Sequence, residues 1–198
     1  TAGIDFADYR SWMEQNGIDA AYIREIPGKY TASFFVNTDL ENNQIASFYT
    51  GAMADAARFT LTGLPRDEVD YLVISPNDPA AMRKLTDECV SMGIPYLFDP
   101  SQQVARNPHD DLRIGVENAH AVFCNEYEFD LLIKHTGLSA AQIEGLVQLL
   151  VITRGENGAT VKAEGREYLI PVVPAARIAD PTGVGDAFRG GFLRGYRL

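Results

Sequence analysis

Cysteine is nearly absent from this 198-residue chain: Cys89 and Cys124 are the only two. Two thiols alone build neither a disulfide framework nor a zinc cluster. Both lie in or beside apolar stretches, where a thiol behaves as a small buried hydrophobe. Histidine is almost as scarce, and His109, His120 and His135 show no metal-ligand spacing. No apolar run approaches the ~20 residues of a membrane helix. No secretory leader is recognisable, so the expected setting is a reducing cytoplasm without membrane contact. Basic charge is in deficit: 17 Lys and Arg face 27 Asp and Glu, for a formal charge of -10. Such a chain repels polyanions at long range, which argues against nucleic acid as a partner. A small anion remains allowed, because helix N-termini and loop amides hold phosphate locally. Two nucleotide motifs are also missing. There is no G-x-x-x-x-G-K-[ST], and the stretch Gly183 to Phe188 lacks the third glycine of the dinucleotide fingerprint. P-loop phosphotransfer and NAD-linked oxidation are both disfavoured.

What is present is globular: 46% hydrophobic and 22% charged residues, enough for one domain or one domain with a small appendage. The chain opens at Thr1 without methionine and closes at Leu198 inside a helical pattern without a Gly or Pro stop. It reads as a fragment truncated at both ends.

Along the chain, Phe6, Tyr9, Trp12 and Met13 recur at helical spacing, predicting a helix over 5–16 with Gly17 as its stop. Residues 1–17 are assigned to a helix of an α/β core. From 18 to 51 the character changes to β-prone runs, AAYIREI (20–26), YTASFFV (30–36) and QIASFY (44–49), separated by turn-formers. This segment reads as a small antiparallel β lid. Residues 52–198 then alternate strand and helix: strands at 71–75, 94–98, 119–124 and 149–153, helices at 80–92, 125–135 and 140–148. A hairpin at 158–172 and a helix from about Val184 complete them. Alternation of this kind predicts an α/β fold with a mostly parallel sheet flanked by helices. Such sheets carry their sites at the carboxyl ends of the strands. Three polar clusters fall there: Asp99, Asn125 to Glu128, and Thr153 to Gly158.

The strongest chemical signal is D-P-T-G-V-G-D-A-F, Asp180 to Phe188. Gly183 and Gly185 flank Val184 just before a helix, so consecutive N–H groups can bend toward one point. The helix dipole behind them favours negative charge. Asp186 stands in the first turn, suited to take a proton from a hydroxyl nucleophile. A capped glycine turn would use the same residue types. Within the helix, Gly190, Gly191 and Gly195 each weaken helical preference by roughly 1 kcal/mol, which calls for a close packing partner or a nucleotide. A second signal is Thr153-Arg154-Gly155-Glu156-Asn157-Gly158, a glycine turn with a hydroxyl that suits phosphate contact or an ordinary hairpin entry. The third is Asn125-Glu126-Tyr127-Glu128. Its acids are natural helix caps, and a glutamate there also suits Mg²⁺, which binds through few carboxylates.

Taken in this order, the three signals resemble the ribokinase-like (PfkB) family of carbohydrate and nucleoside kinases, over essentially the whole chain. DPTGVGDAF is similar to that family's D-T-x-G-A-G-D-x-F signature, with Pro181 in place of Thr and Val184 in place of Ala. NEYE matches N-x-x-E, and TRGENG matches T-x-G-x-x-G. The resemblance implies a ribokinase-like fold and phosphorylation of a sugar hydroxyl by ATP with Mg²⁺. Asp186 is then the base, and the amides of Gly183, Val184 and Gly185 form the anion hole. Asn125 and Glu128 organise phosphate and Mg²⁺, the latter indirectly, while Thr153, Gly155 and Gly158 lie on the ATP side. Asp180 corresponds to an aspartate near a monovalent-cation site in some members, which leaves K⁺ open as a cofactor. NNQIASFYTGAM (42–53), SPNDPAAM (75–82) and DPTGVGDAFRGG look most like bacterial adenosine-kinase-like members. The implied acceptor is therefore a nucleoside, with Phe34, Phe35, Phe48 and Tyr49 of the lid able to stack on it. In some relatives the lid also pairs subunits, so a homodimer through it is an open expectation. The family's N-terminal Gly-Gly signature and early acceptor-binding aspartate have no counterpart here, and the fragment alone is expected to be inactive. Two alternatives remain: a ribokinase or fructokinase type of sugar kinase, and a non-catalytic nucleotide-binding relative.

Overall fold

The computed structural model describes residues 1–38, 44–175 and 183–197. The chain begins with α1 (Ala7–Gln15), two residues later than the apolar spacing predicts. The reason is Asp5: its Oδ1 accepts from the amide and hydroxyl of Thr31, at 2.8 and 2.7 Å, and is held outside the helix. Gly17, at φ +74°, stops the helix as expected. Of the apolar stripe only Phe6 is buried. Tyr9 and Trp12 stack on each other in the open, with ring centroids 5.4 Å apart.

The β-prone run 20–26 is not a strand. Its one partner is Ala2, through the isolated bridge Ala2↔Glu25. A ladder needs several successive partners, and Gly3 turns away. Its backbone packs so tightly on Tyr30 that a Cβ would sit 2.2 Å from the carbonyl carbon. The next two runs do pair. β1 (Ser33–Thr38) and β2 (Gln44–Tyr49) form an antiparallel ribbon with Phe34 opposite Phe48 and Ser33 opposite Tyr49. Phe34, Phe35, Phe48 and Tyr49 are all exposed on it.

The main sheet contains β3 (Leu72–Ile74), β4 (Tyr96–Phe98), β5 (Ala121–Asn125), β6 (Leu149–Thr153), β7 (Ala159–Ala163) and β8 (Arg166–Ile170) in sequential order. The first four are parallel and the last three pair antiparallel, β6 with β7 and β7 with β8. The parallel connections run through α2 (Pro79–Met92), α3 (His109–Glu117), and the pair α4 (Glu126–Thr136) and α5 (Ala140–Leu146). Each right-handed crossover to the next neighbour puts its helix on the same side. One face of the sheet therefore holds these helices. Ile74, Phe98, Val122, Cys124, Leu150 and Ile152 meet Met82, Cys89, Leu112, Leu132 and Ile143 there. The alternate residues, Leu97, Ala121, Phe123, Leu149 and Val151, point to the other face and receive Phe188, Phe192 and Leu193 of α6 (Val184–Arg197).

The helix ends follow local chemistry. Asp78 caps α2 and Pro79 fills its first position; Gly93 closes it at φ +65°. Asn125 and Ser139 open α4 and α5 with capping boxes. The helix α3 goes beyond the sequence reading, although Pro108 before two aspartates and the stripe Leu112, Gly115, Val116 carry its signal. Glycines 190, 191 and 195 of α6 do not meet the expected close partner. Among the described residues nothing lies within 4 Å of a Cβ built on any of them. The sheet-facing side is supplied by Phe188, Phe192 and Leu193 instead. No described helix is long and apolar enough to cross a membrane.

Two helical glycines separate packing from propensity. A Cβ on Gly115 would lie 2.5 Å from the Phe98 ring, whereas one on Gly145 would meet nothing within 4 Å. Gly115→Ala is expected to destabilise by about 1–3 kcal/mol through overpacking. Gly145→Ala should stabilise by up to about 0.5–1 kcal/mol. Urea unfolding of both variants checks the pair; equal signs would contradict this account of the Phe98 contact.

Candidate active site

The parallel strands end side by side, and their ends carry polar residues. Asp99 follows β4, Asn125 ends β5 and Thr153 ends β6, with Asn125 and Thr153 directly paired. The Asn125 side chain accepts from the Glu128 amide at 2.8 Å, and Glu128 Oε2 accepts from the Asn125 amide at 2.8 Å. Asn125 and Glu128 are thus locked by the cap at the start of α4. The other carboxylate oxygen of Glu128 accepts from Ser101 Oγ at 3.2 Å. Ser101 reaches it from a left-handed backbone, φ +42°, that non-glycine residues seldom adopt.

At the start of α6, Gly183 has φ +74°, a conformation open to glycine at little cost. Its carbonyl accepts from the Ala187 amide at 2.9 Å. The amides of Val184, Gly185 and Asp186 come before that first helical bond and point out of the helix end. Asp186 is 78% exposed at its side chain and pairs with Arg189, whose Nη2 donates to Oδ1 at 2.9 Å.

Asp99 is the opposite kind of carboxylate. It is buried, and among the described residues neither oxygen meets a donor in hydrogen-bond geometry. Arg189 Nε stands 2.6 Å from Oδ2, an ion pair without hydrogen-bond alignment. Burial pushes its carboxyl up to about 6 against the pull of Arg189; the charges of Glu128 and Asp186 add to the push. Three acids and one guanidinium therefore act on one spot where β4, α4 and α6 meet.

Of the residues singled out from the sequence, the structure brings Glu128, Gly183, Val184, Gly185 and Asp186 to this spot, with Asn125 fixing Glu128. Thr153 sits one strand along, its hydroxyl 3.5 Å from the Cys124 carbonyl. Gly155 and Gly158 shape the turn after β6 at φ +54° and +84°. A Cβ on Gly158 would lie 2.0 Å from the Ile170 carbonyl oxygen, so that glycine is already required by the close approach of the end of β8. Asp180 lies outside the described residues. Two participants went unread in the sequence, Ser101 and Arg189. The i, i+3 spacing of Asp186 and Arg189 was the available signal for the second.

Comparison with known proteins shows the family. Residues 1–197 match the family described as pfkB family carbohydrate kinase. A nucleoside kinase of Methanocaldococcus jannaschii is 26% identical over 196 residues, covering 98% of this chain and 64% of that protein. A cytidine kinase of Thermococcus kodakarensis is 36% identical over 98% of this chain and 71% of its own length. The solved structure of Burkholderia thailandensis nucleoside kinase in complex with inosine superposes with a TM-score of 0.93 at 36% identity. That match covers 99% of this chain and 65% of the other. The chain thus spans 64% to 71% of the length of these relatives.

The Asp99 geometry carries a pH signature. Its carboxyl titrates near 6 when folded and near 3.8 when exposed. Between those values the folded chain keeps a proton that the unfolded chain has released. Stability therefore falls as pH rises through this window, by roughly 3 kcal/mol at one pH unit per 1.36 kcal/mol. Asp99→Asn, which stays neutral, should raise Tm at pH 7.5 and lose that advantage near pH 4. Thermal unfolding of both proteins from pH 4 to 8 checks it; a constant difference across the range would refute it.

Proposed function

The chain belongs to the pfkB family of carbohydrate kinases, and we propose that the protein containing it transfers the γ-phosphoryl group of ATP to a sugar hydroxyl of a nucleoside. One observation carries this reading. An exposed carboxylate, Asp186, sits beside the first-turn amides that open α6, at the carboxyl ends of the parallel strands. Those amides face the place where negative charge develops on the migrating phosphoryl. Asp186 takes the proton of the acceptor hydroxyl as its oxygen attacks phosphorus and the bond to the ADP oxygen breaks. The products are a nucleoside monophosphate and ADP. Positive φ at Gly183 supports the role of Gly183, Val184 and Gly185 as the amide-lined nook.

The residues present also fit a divalent cation. Asp99 has two carboxylate oxygens without hydrogen-bond donors, and Glu128 points a second carboxylate into the same region. An all-oxygen, acidic donor set suits Mg²⁺. When bound, the ion would neutralise phosphate charge between Glu128 and Asp99. Asn125 keeps Glu128 in place through the capping box, and Thr153 with Gly155 and Gly158 forms the ATP-side turn. Asp180 is retained as the candidate for K⁺.

The segment 18–51, with its β1–β2 ribbon, is proposed as the cover over the acceptor, and 52–198 as the nucleotide-binding core. Exposed Phe34, Phe35, Phe48 and Tyr49 supply faces for a base or for a second subunit. A nucleoside is preferred over a free sugar because the similar Burkholderia protein is a nucleoside kinase held with inosine. A cytosolic setting fits these substrates.

ADP release by the complete protein, supplied with ATP, Mg²⁺ and either adenosine, inosine, other nucleosides, ribose or fructose phosphates, tests the reading. A nucleoside should give the highest turnover. Asp186→Asn should lower kcat by about 10²–10⁴-fold, the usual worth of a general base, with ATP binding retained. Near-normal turnover in that variant would remove Asp186 from the role.

A further inference from the structure

Arg189 joins the two unlike carboxylates of the site. Its Nε lies 2.6 Å from Asp99 Oδ2 and its Nη2 2.9 Å from Asp186 Oδ1. The two partners differ in mobility. Asp99 is buried and tied to the sheet, its amide donating to the Ile74 carbonyl at 3.0 Å. Asp186 is exposed on the first turn of α6.

An exposed i, i+3 ion pair by itself is worth less than thermal energy and would leave the Asp186 rotamer free. The anchor at Asp99 changes this. Arg189 is itself only 20% exposed, and one planar guanidinium presents donors to both acids at once. The backbone leaves room for that placement: a Cβ on Gly185 would stand 3.0 Å from Arg189 Nη1, tighter than ordinary contact. The glycine between Val184 and Asp186 thus serves the guanidinium as well as the turn.

We propose that Arg189 is a positioning residue which, anchored on buried Asp99, fixes the carboxylate of Asp186 toward the acceptor hydroxyl. This rests on the kinase reading of the site. Proton abstraction demands that the base lie within hydrogen-bond reach of one defined hydroxyl, and small misplacements weaken such steps steeply. Arg189 supplies the fixed reference, the end of β4, that the first turn of a helix lacks. It touches neither substrate in this role, so its loss acts on turnover more than on binding.

The test compares wild type, Arg189→Gln and Arg189→Lys in the complete protein, at saturating Mg²⁺, by steady-state kinetics and thermal unfolding. Arg189→Gln is expected to lower kcat by about 10–100-fold, with KM for ATP and for the nucleoside within two-fold of wild type. Arg189→Lys decides the matter if the Gln variant fails to fold, since Lys keeps a positive charge beside Asp99. A compact ammonium does not span both carboxylates, so Lys should retain the wild-type Tm and still lose at least about ten-fold in kcat. A Lys variant with normal kcat overturns the proposal. So does one in which KM for ATP rises while kcat holds, because Arg189 would then be a phosphate ligand, and so does a Lys variant that cannot fold. Wild type that releases no ADP with any acceptor overturns the kinase reading itself, and this role with it.

Discussion

The arrangement of the site depends on one buried charge. Asp99 ends a strand whose other residues, Tyr96, Leu97 and Phe98, are all buried. A carboxylate in such surroundings is costly unless a cation meets it. Arg189 is that cation, and it comes from α6, at the far end of the sequence from β4. The ion pair thus sets the height of α6 on the open face of the sheet. It does so at the helix end where Gly183, Gly185 and Asp186 sit. The other end is tied by Tyr196, which meets His120 Nε2 at 3.1 Å, and by Arg197 paired with Asp70 at 2.8 Å. Phe192 between them packs edge-on to Phe123. Polar contacts fix where the helix lies along the sheet, while the aromatic stripe holds it down.

Why the open face exists at all is a matter of handedness. Parallel strands added one beside the next carry each right-handed crossover to the same side. The helices α2 to α5 cover one face, and the opposite one stays free for a helix that arrives later. The same rule gathers the ends of β4, β5 and β6 into one rim. Asp99, Asn125 and Thr153 need no special folding device to become neighbours; the parallel register of β5 and β6 already places Asn125 opposite Thr153.

Apart from α3, the strands and helices of the core were legible in the sequence because each has a short apolar run and a capping or breaking residue beside it. Asp78, Gly93, Asn125, Gly137 and Ser139 all do in the structure what their side chains favour. The run 20–26 misled because β-branched and aromatic residues report a half-buried extended segment, not the presence of a partner. Ala20 and Ile26 are indeed buried, yet only Ala2 pairs there. At the site, Asp186 and its glycines were readable as a local pattern along the chain. For Arg189 the i, i+3 spacing records only the pairing with Asp186; its tie to Asp99, ninety residues away, is not written in any local spacing. The capping box at Asn125 shows the reverse case. N-x-x-E explains itself as helix chemistry, so the motif alone does not disclose whether a ligand also uses it.

The charge balance of the site bears on the proposed reaction. Among the described residues, Arg189 is the cation that acts on Asp99 beside the charges of Glu128 and Asp186, on a chain that is already strongly acidic. A nucleoside triphosphate brings several further negative charges. The first-turn amides of α6 offset part of this, since a helix start acts as roughly half a positive charge. That is too little to balance three carboxylates against one guanidinium. Under the kinase reading, the orphaned oxygens of Asp99 are therefore an asset. They hold a place for a cation that arrives with the nucleotide. Oδ2 of Asp99 stays on Arg189, which in turn fixes the base, and Oδ1 is the oxygen left for that cation. An uncompensated buried acid is a poor choice for stability alone, and a good one for a site whose electrostatics are completed only by its substrate.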